Sequence, residues 1–204
     1  MKAGAGSFFY HFDYVFSGTS PDGPSAWVNA QFTDGSSGTV NLTLSTGGLT
    51  GTEFISELYL NLNNVLNPNS LIFTLTSSIG TFSNPSISTG VDQFKADGDG
   101  KYDVLLGFST AGTGRFGVGD SITYQITGIA GLQASDFDFL SAPAGGSGPF
   151  LSAAHVQSIG NGNSGWIAPT ILTPAPEPAT AVLLGSAMII WAGARRFRNR
   201  SQGI

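Results

Sequence analysis

Hydrophobic residues occupy every second position in several short segments of this chain. Aromatic residues do so from Phe8 to Phe16, and leucines do so from Leu58 to Leu62. A period of two is that of a β-strand with one buried face. Further strand candidates, separated by turn-forming residues, are 26–32, 40–44, 71–76, 102–108, 121–127 and 153–159. Eight or more short strands predict an all-β domain over residues 1–173, an antiparallel β-sandwich of the jelly-roll-like type.

The longest apolar run of the chain is residues 179–194, which contain no charged residue. Sixteen residues reach about 24 Å as a helix, which is short of a hydrocarbon core of roughly 30 Å, so the run predicts a minimal transmembrane helix. Arginines favour the cytoplasmic side, which places residues 1–173 outside. The alternative is an amphipathic helix that closes a soluble core. The arginines after the run are Arg195, Arg196, Arg198 and Arg200.

A Pro-Glu-Pro motif stands directly before the apolar run, at Pro176, Glu177 and Pro178. The motif, the short helix and the terminal arginines together resemble the PEP-CTERM sorting signal, here residues 174–204. The resemblance implies that an exosortase, a membrane-embedded enzyme with cysteine chemistry, recognises the motif at 174–178. It implies that 179–194 hold the chain in the inner membrane and that 195–204 stop its transfer.

A looser resemblance extends upstream of this signal. Residues 94–103, 154–157 and 165–168 resemble the ectodomain of one subset of PEP-CTERM proteins. The carriers of such signals belong to Gram-negative bacteria that make exopolysaccharide. The resemblance therefore implies a protein of the cell surface or of the extracellular matrix. It does not indicate which activity the ectodomain has.

The charge of the chain excludes some partners. Only 10% of the residues are charged, and residues 1–173 carry twelve Asp and Glu against four Lys and Arg, so 4 − 12 gives a net charge of −8. Nucleic acid is therefore a poor partner. The absence of cysteine excludes disulfides, thiolate metal sites and a cysteine nucleophile.

An exported protein needs a leader, and none is visible at the start of this sequence. Met1 to Gly6 run directly into the aromatic strand candidate. We expect that the chain is truncated and that its true start lies upstream. A chain that begins after cleavage and a cytoplasmic protein with an accidental tail are the alternatives.

Several motifs of catalytic sites occur without the context that they need. Residues 112–117 and 160–165 both fit G-x-G-x-x-G, but neither opens a helix after a strand, so both predict hairpin loops. His11 and His155 are the only histidines. Each lies in a strand-like segment, which favours a hydrogen-bonded structural histidine over a triad or a zinc ligand.

Paired carboxylates are a further candidate for catalysis. Glu53 with Glu57, or Asp136 with Asp138, could serve as the two acids of a glycosidase. No spacing distinguishes them from ordinary surface carboxylates. The sequence therefore predicts that the chain is not an enzyme.

A calcium ion is the one cofactor that the sequence suggests. Asp97, Asp99 and Asp103 stand at relative positions one, three and seven, with glycines between them that permit a tight turn. The segment departs from an EF-hand loop, since Tyr102 replaces the glycine at position six and Phe108 replaces the glutamate at position twelve. An Asp-Gly hairpin turn explains the same residues.

Two classes of function remain. The first is a non-catalytic cell-surface or secreted protein, sorted by an exosortase and associated with the envelope or the exopolysaccharide matrix. The second is a calcium-assisted carbohydrate-binding module. Its candidate stacking platforms, for which packing in the core is the alternative, are Trp27, Tyr59, Tyr124 and Trp166.

Overall fold

A computed structural model describes residues 6–36 and 38–170 of the chain. These residues form eleven β-strands and three single-turn 3-10 helices, at Pro68–Ser70, Gly112–Gly114 and Ala134–Phe137. The strands are β1 (Ser7–Gly18), β2 (Val28–Asp34), β3 (Val40–Ser45), β4 (Phe54–Leu60), β5 (Ile72–Ile79), β6 (Ser86–Ala96), β7 (Asp99–Gly107), β8 (Phe116–Gly117), β9 (Ser121–Thr127), β10 (Ser152–Ile159) and β11 (Asn163–Pro169). The prediction of an all-β domain is confirmed.

All of these strands belong to one antiparallel sheet. Its order is β5-β9-β3-β2-β1-β11-β10-β4-β7-β6, and the short β8 pairs with β4. The two strands at the ends of this order, β5 and β6, line a common cleft of about 430 Å³ through residues such as Phe73 and Ile87. The sheet therefore curls until its edges approach each other, and it is nearly closed.

The inward face of the curled sheet carries the hydrophobic core. Phe32 of β2 is fully buried, and its ring stacks on those of Phe8 and Phe137 with 4.9 Å between centroids in both cases. Tyr10, the next inward residue of β1, donates its hydroxyl proton to the carbonyl of Phe137. The aromatic alternation in β1 thus joins the first strand to the 3-10 helix at Ala134–Phe137.

The sequence does not predict β6 or β11 as a strand. β6 forms a hairpin with β7 around the Asp-Gly segment, and β11 begins at Asn163 within a predicted loop. Both β6 and β11 contain Gly and Ser, which are typical of turns. Pairing with neighbouring strands therefore overrides local preference at these positions.

The membrane prediction concerns residues beyond those described. Among residues 6–36 and 38–170, no helix is long and apolar enough to cross a membrane. The predicted helix at 179–194 lies outside this part of the chain.

Removing the ring of Phe32 should destabilise the domain strongly. Phe32→Ala leaves a cavity between two stacked rings, so we expect the free energy of unfolding to fall by about 3–5 kcal/mol. Urea denaturation followed by tryptophan fluorescence measures this change. Gln31→Ala, in the same strand but on the outward face, is the matched control and should stay within about 0.5 kcal/mol of wild type. Equal losses in the two variants would contradict the assignment of faces.

Candidate functional site

The outward face of β1, β2, β3, β9 and β5 carries a regular grid of side chains. The strand registers align them in three rows of five across the sheet, and all are exposed or half-buried. We call these positions the open polar face. Its rows are Ser7, Thr33, Asn41, Gln125 and Thr74; Phe9, Gln31, Thr43, Thr123 and Ser77; and His11, Asn29, Ser45, Ser121 and Ile79.

The open polar face is uncharged apart from the titratable ring of His11. It contains no Asp, Glu, Lys or Arg, and twelve of its fifteen positions are Ser, Thr, Asn or Gln. Thr43 and Thr123 share a hydrogen bond of 3.0 Å between their hydroxyls. The amides of Gln31, Asn41 and Gln125 make no hydrogen bond to another described residue. Their donors and acceptors face solvent.

One end of the open polar face is aromatic. The Phe9 side chain is 51% exposed, and its ring lies parallel to that of His11 with centroids 5.9 Å apart. His11 Nδ1 lies 2.6 Å from Asn29 Oδ1, which fixes the ring orientation. The face thus combines an exposed aromatic ring with neighbouring amide and hydroxyl groups.

The other half of the outward face, over β4, β10 and β11, is covered. The tip of the β6–β7 hairpin packs on it and forms a second hydrophobic cluster, which we call the hairpin cluster. The three segments 94–103, 154–157 and 165–168, far apart in the chain, meet at this place. Its members are Phe16, Tyr59, Phe94, Ala96, Tyr102, Leu105, Ala153 and Trp166.

His155 lies at the border of the hairpin cluster. It is the cross-strand neighbour of Trp166, and the two rings stack with 4.3 Å between centroids. A β-bulge in β4 inserts Ser56, whose Oγ lies 3.0 Å from His155 Nδ1. Burial lowers the pKa of His155, while the carboxylates of Glu57 and Asp97 oppose that shift.

The contact between Ser56 and His155 is not arranged as a nucleophile and its base. The Ser56 side chain is only 4% exposed, so a substrate does not reach it. Within the part of the chain that the structure describes, no carboxylate makes a hydrogen bond to His155. The described residues therefore lack the orienting third group of a catalytic triad. The packing of His155 on Trp166 is consistent with a structural role for this histidine.

The three predicted calcium ligands are dispersed along the β6–β7 hairpin. Asp97 and Gly98 form its two-residue turn with φ of 50° and 79°, which matches the Asp-Gly turn given as the alternative. Asp99 and Asp103 stand four residues apart on β7, about 13 Å along a strand. No group of three acidic or histidine side chains suited to a metal occurs among the described residues. Calcium binding stays a prediction.

Each of these aspartates has a different environment. Asp103 accepts hydrogen bonds of 2.9 Å from the backbone N–H groups of Leu62 and Asp92, and burial raises its pKa although these bonds oppose the shift. The Asp99 side chain is 5% exposed, and its Oδ1 has no hydrogen-bond partner. The hydroxyl of Tyr102 is also buried without a partner. Asp99 is therefore the one member of the set with an unused buried oxygen.

The aromatic residues named as candidate stacking platforms pack within the fold. Trp27 is 7% exposed and donates its indole N–H to the carbonyl of Gly23 at 2.7 Å, while Tyr59 and Tyr124 are each 4% exposed. The rings of these three side chains are buried, which matches the alternative of packing in the core and excludes them as stacking platforms. Trp166 is half-buried with one ring face against His155.

In each candidate pair of acids, one carboxylate holds backbone groups in place. Glu53 is 2% exposed and accepts hydrogen bonds of 2.6 Å and 2.7 Å from the backbone N–H groups of Asp22 and Thr50. Asp136 accepts a hydrogen bond of 3.0 Å from the backbone of Gln133 and caps the last 3-10 helix. These hydrogen bonds give Glu53 and Asp136 a structural role.

The sorting residues lie outside the described part of the chain. They are Pro176, Glu177, Pro178, Arg195, Arg196, Arg198 and Arg200.

Comparison with known proteins assigns no relative. No family model, no curated protein and no solved structure matches the chain. The residues themselves therefore carry every functional argument that follows.

The buried His155 should make stability depend on pH. Because burial lowers its pKa in the folded state, the unfolded state binds more protons below about pH 6.5, and stability is lost as the pH falls through that range. We expect a smaller free energy of unfolding at pH 5.5 than at pH 7.5, and a smaller difference in His155→Gln. Gln157→Ala, on the same strand and without a titratable group, is the control and should keep the wild-type difference. If the free energy of unfolding changed equally with pH in wild type and in His155→Gln, the pH dependence could not be assigned to His155.

Calcium binding at the β6–β7 hairpin can be tested by melting. An ion that binds only the folded state at a hundredfold excess over Kd stabilises it by about 2.7 kcal/mol. We expect calcium to raise the melting temperature of wild type and to do so less in Asp99→Asn. Asp92→Asn, an exposed residue of the same hairpin, is the matched control. Identical melting curves with calcium and with chelator would show that this segment does not bind calcium.

Proposed function

We propose that this chain is a non-catalytic protein of the bacterial cell surface or extracellular matrix, delivered there by an exosortase. In this proposal the β domain is exported, and the tail holds it in the inner membrane until the exosortase acts at Pro176, Glu177 and Pro178. The processed domain then stays with the envelope or the exopolysaccharide matrix.

The observation that carries this proposal is the order of the last thirty residues. A Pro-Glu-Pro motif, an uncharged run at 179–194 and four arginines follow one another without interruption, and half of the chain's eight Lys and Arg stand in its last ten residues. The positive-inside rule places the arginines in the cytoplasm and the motif outside. Glu177 is the only charge between the β domain and the run, so a peptide-reading enzyme has one distinct side chain to recognise.

The described domain supports a structural or binding role. Its two histidines, on β1 and β10, have packing or hydrogen-bonding partners on neighbouring strands, and its buried carboxylate Glu53 holds two loops. We further propose that the two halves of the curled sheet act as the layers of a jelly-roll-like sandwich, since residues from both halves share one core.

A second candidate function is a carbohydrate-binding module. The observation that favours it is the open polar face, an uncharged surface of hydroxyl and amide groups with an aromatic ring at one end. For this second candidate function we also propose that a calcium ion, bound at Asp97, Asp99 and Asp103, assists the binding of carbohydrate.

Processing of the tail tests the sorting proposal. In a Gram-negative host that contains an exosortase, the tagged protein with a working leader should lose its residues from about 179 onward and leave the inner membrane. Glu177→Ala should remain full-length and membrane-bound, because the enzyme then lacks the charged side chain of the motif. Intact mass and membrane fractionation measure both outcomes.

The matched control for Glu177→Ala is Thr173→Ala, which lies close by but outside the motif. It should be processed like wild type, and deletion of the exosortase should block processing of both. If wild type keeps Arg195 to Ile204 while the enzyme is active, a simple tail-anchored surface protein replaces the sorting proposal.

A further inference from the structure

We propose that the open polar face is a binding site for a neutral polysaccharide chain. This proposal rests on the second candidate function, the carbohydrate-binding module, and names the class of carbohydrate that it binds. The face is the outward side of β1, β2, β3, β9 and β5, opposite the core and away from the covered hairpin cluster.

The charge of the face selects the class of ligand. Only 10% of the residues of this chain are charged, against about a quarter in an ordinary protein, and charged residues concentrate on surfaces. The fifteen positions of the face include no Asp, Glu, Lys or Arg, although the whole chain has a net charge of −5. A charged ligand would lose its hydration here and find no opposite charge. The face therefore fits a neutral molecule.

The hydrogen-bonding groups of the face narrow the class further. Gln31, Asn41 and Gln125 each present both donors and acceptors to solvent, and the hydroxyl pair of Thr43 and Thr123 adjoins them. An apolar partner would leave these groups unpaired, which is unfavourable. A ligand that is dense in hydroxyl groups satisfies them, because a hydroxyl both donates and accepts. Neutral sugars have this chemistry.

The repeat of the face points to a polymer. Neighbouring strands are about 4.8 Å apart, and successive outward residues of one strand are roughly 6.7 Å apart. The rows continue over five strands, so the same kinds of polar group recur along a line of about 19 Å. A chain of similar sugar units can meet such a row repeatedly. The ring of Phe9, at the end of the middle row, offers an apolar surface to the C–H face of one sugar.

A second copy of the chain fits this face less well. Stacked sheets and stable protein interfaces have apolar or aromatic side chains at their centre. The apolar members of the face, Phe9 and Ile79, stand at its opposite edges on β1 and β5, while its centre is Thr43. The centre would therefore remain polar in a face-to-face dimer.

Binding of defined polysaccharides tests the proposal. The full-length chain, solubilised in detergent and immobilised, is titrated by biolayer interferometry with three neutral polymers, hydroxyethyl cellulose, dextran and galactomannan, and with the anionic polymers alginate and polygalacturonate. We expect wild type to bind at least one neutral polymer and neither anionic one. The triple variant Gln31→Ala/Asn41→Ala/Gln125→Ala should weaken binding at least tenfold, and Phe9→Ala should weaken it as well.

The matched control removes three amides elsewhere, as Asn64→Ala/Gln93→Ala/Gln157→Ala, and should bind like wild type. Melting curves confirm that both triple variants are folded. The proposal is overturned by no binding to any neutral polymer, by equal binding of the anionic polymers, or by equal losses in the two triple variants. Self-association that only the face variant abolishes would assign the face to a second copy instead. Because the assay uses unprocessed protein, its failure is distinct from a failure of sorting.

Discussion

Burial of aromatic and aliphatic side chains on the inward face of the sheet is the interaction on which the described structure depends. The chain contains no cysteine, so no disulfide restrains its unfolded state and apolar burial must offset the loss of conformational entropy. The stack of Phe8, Phe32 and Phe137 joins two strands to a 3-10 helix within this core. Because the core lies on the inward side of the sheet, the side chains on the outward side are not needed for this core.

The outward side is divided by the β6–β7 hairpin. Over β4, β10 and β11 the hairpin tip adds a second layer, and the pair of His155 and Trp166 is packed beneath its border. Over the first part of β1, from Ser7 to His11, and over β2, β3, β9 and β5, no described element covers the sheet, and polar side chains form most of the surface. One hairpin thus decides which half of the same sheet is interior and which half is available to a ligand.

Alternation in the sequence predicts the strands well and the site only in part. It identifies β2, β3 and β9, where one residue in two is buried, but it does not say which neighbour a strand meets. The rows of the open polar face arise from four registers among five strands, and the contact of Ser56 with His155 needs a bulge. Tyr59 illustrates the limit, because alternation assigns it to the outward side and only the hairpin shows that it is buried.

The position of β11 has a mechanical consequence. This strand lies between β1 and β10, and Thr170 just after it donates two hydrogen bonds of 2.8 Å to Asp13 on β1. A pull that acts along this strand loads two ladders of hydrogen bonds in shear at the same time. Bonds loaded together share the force, whereas an edge strand peeled from its sheet breaks them one after another. The domain is therefore built to resist extension from this end.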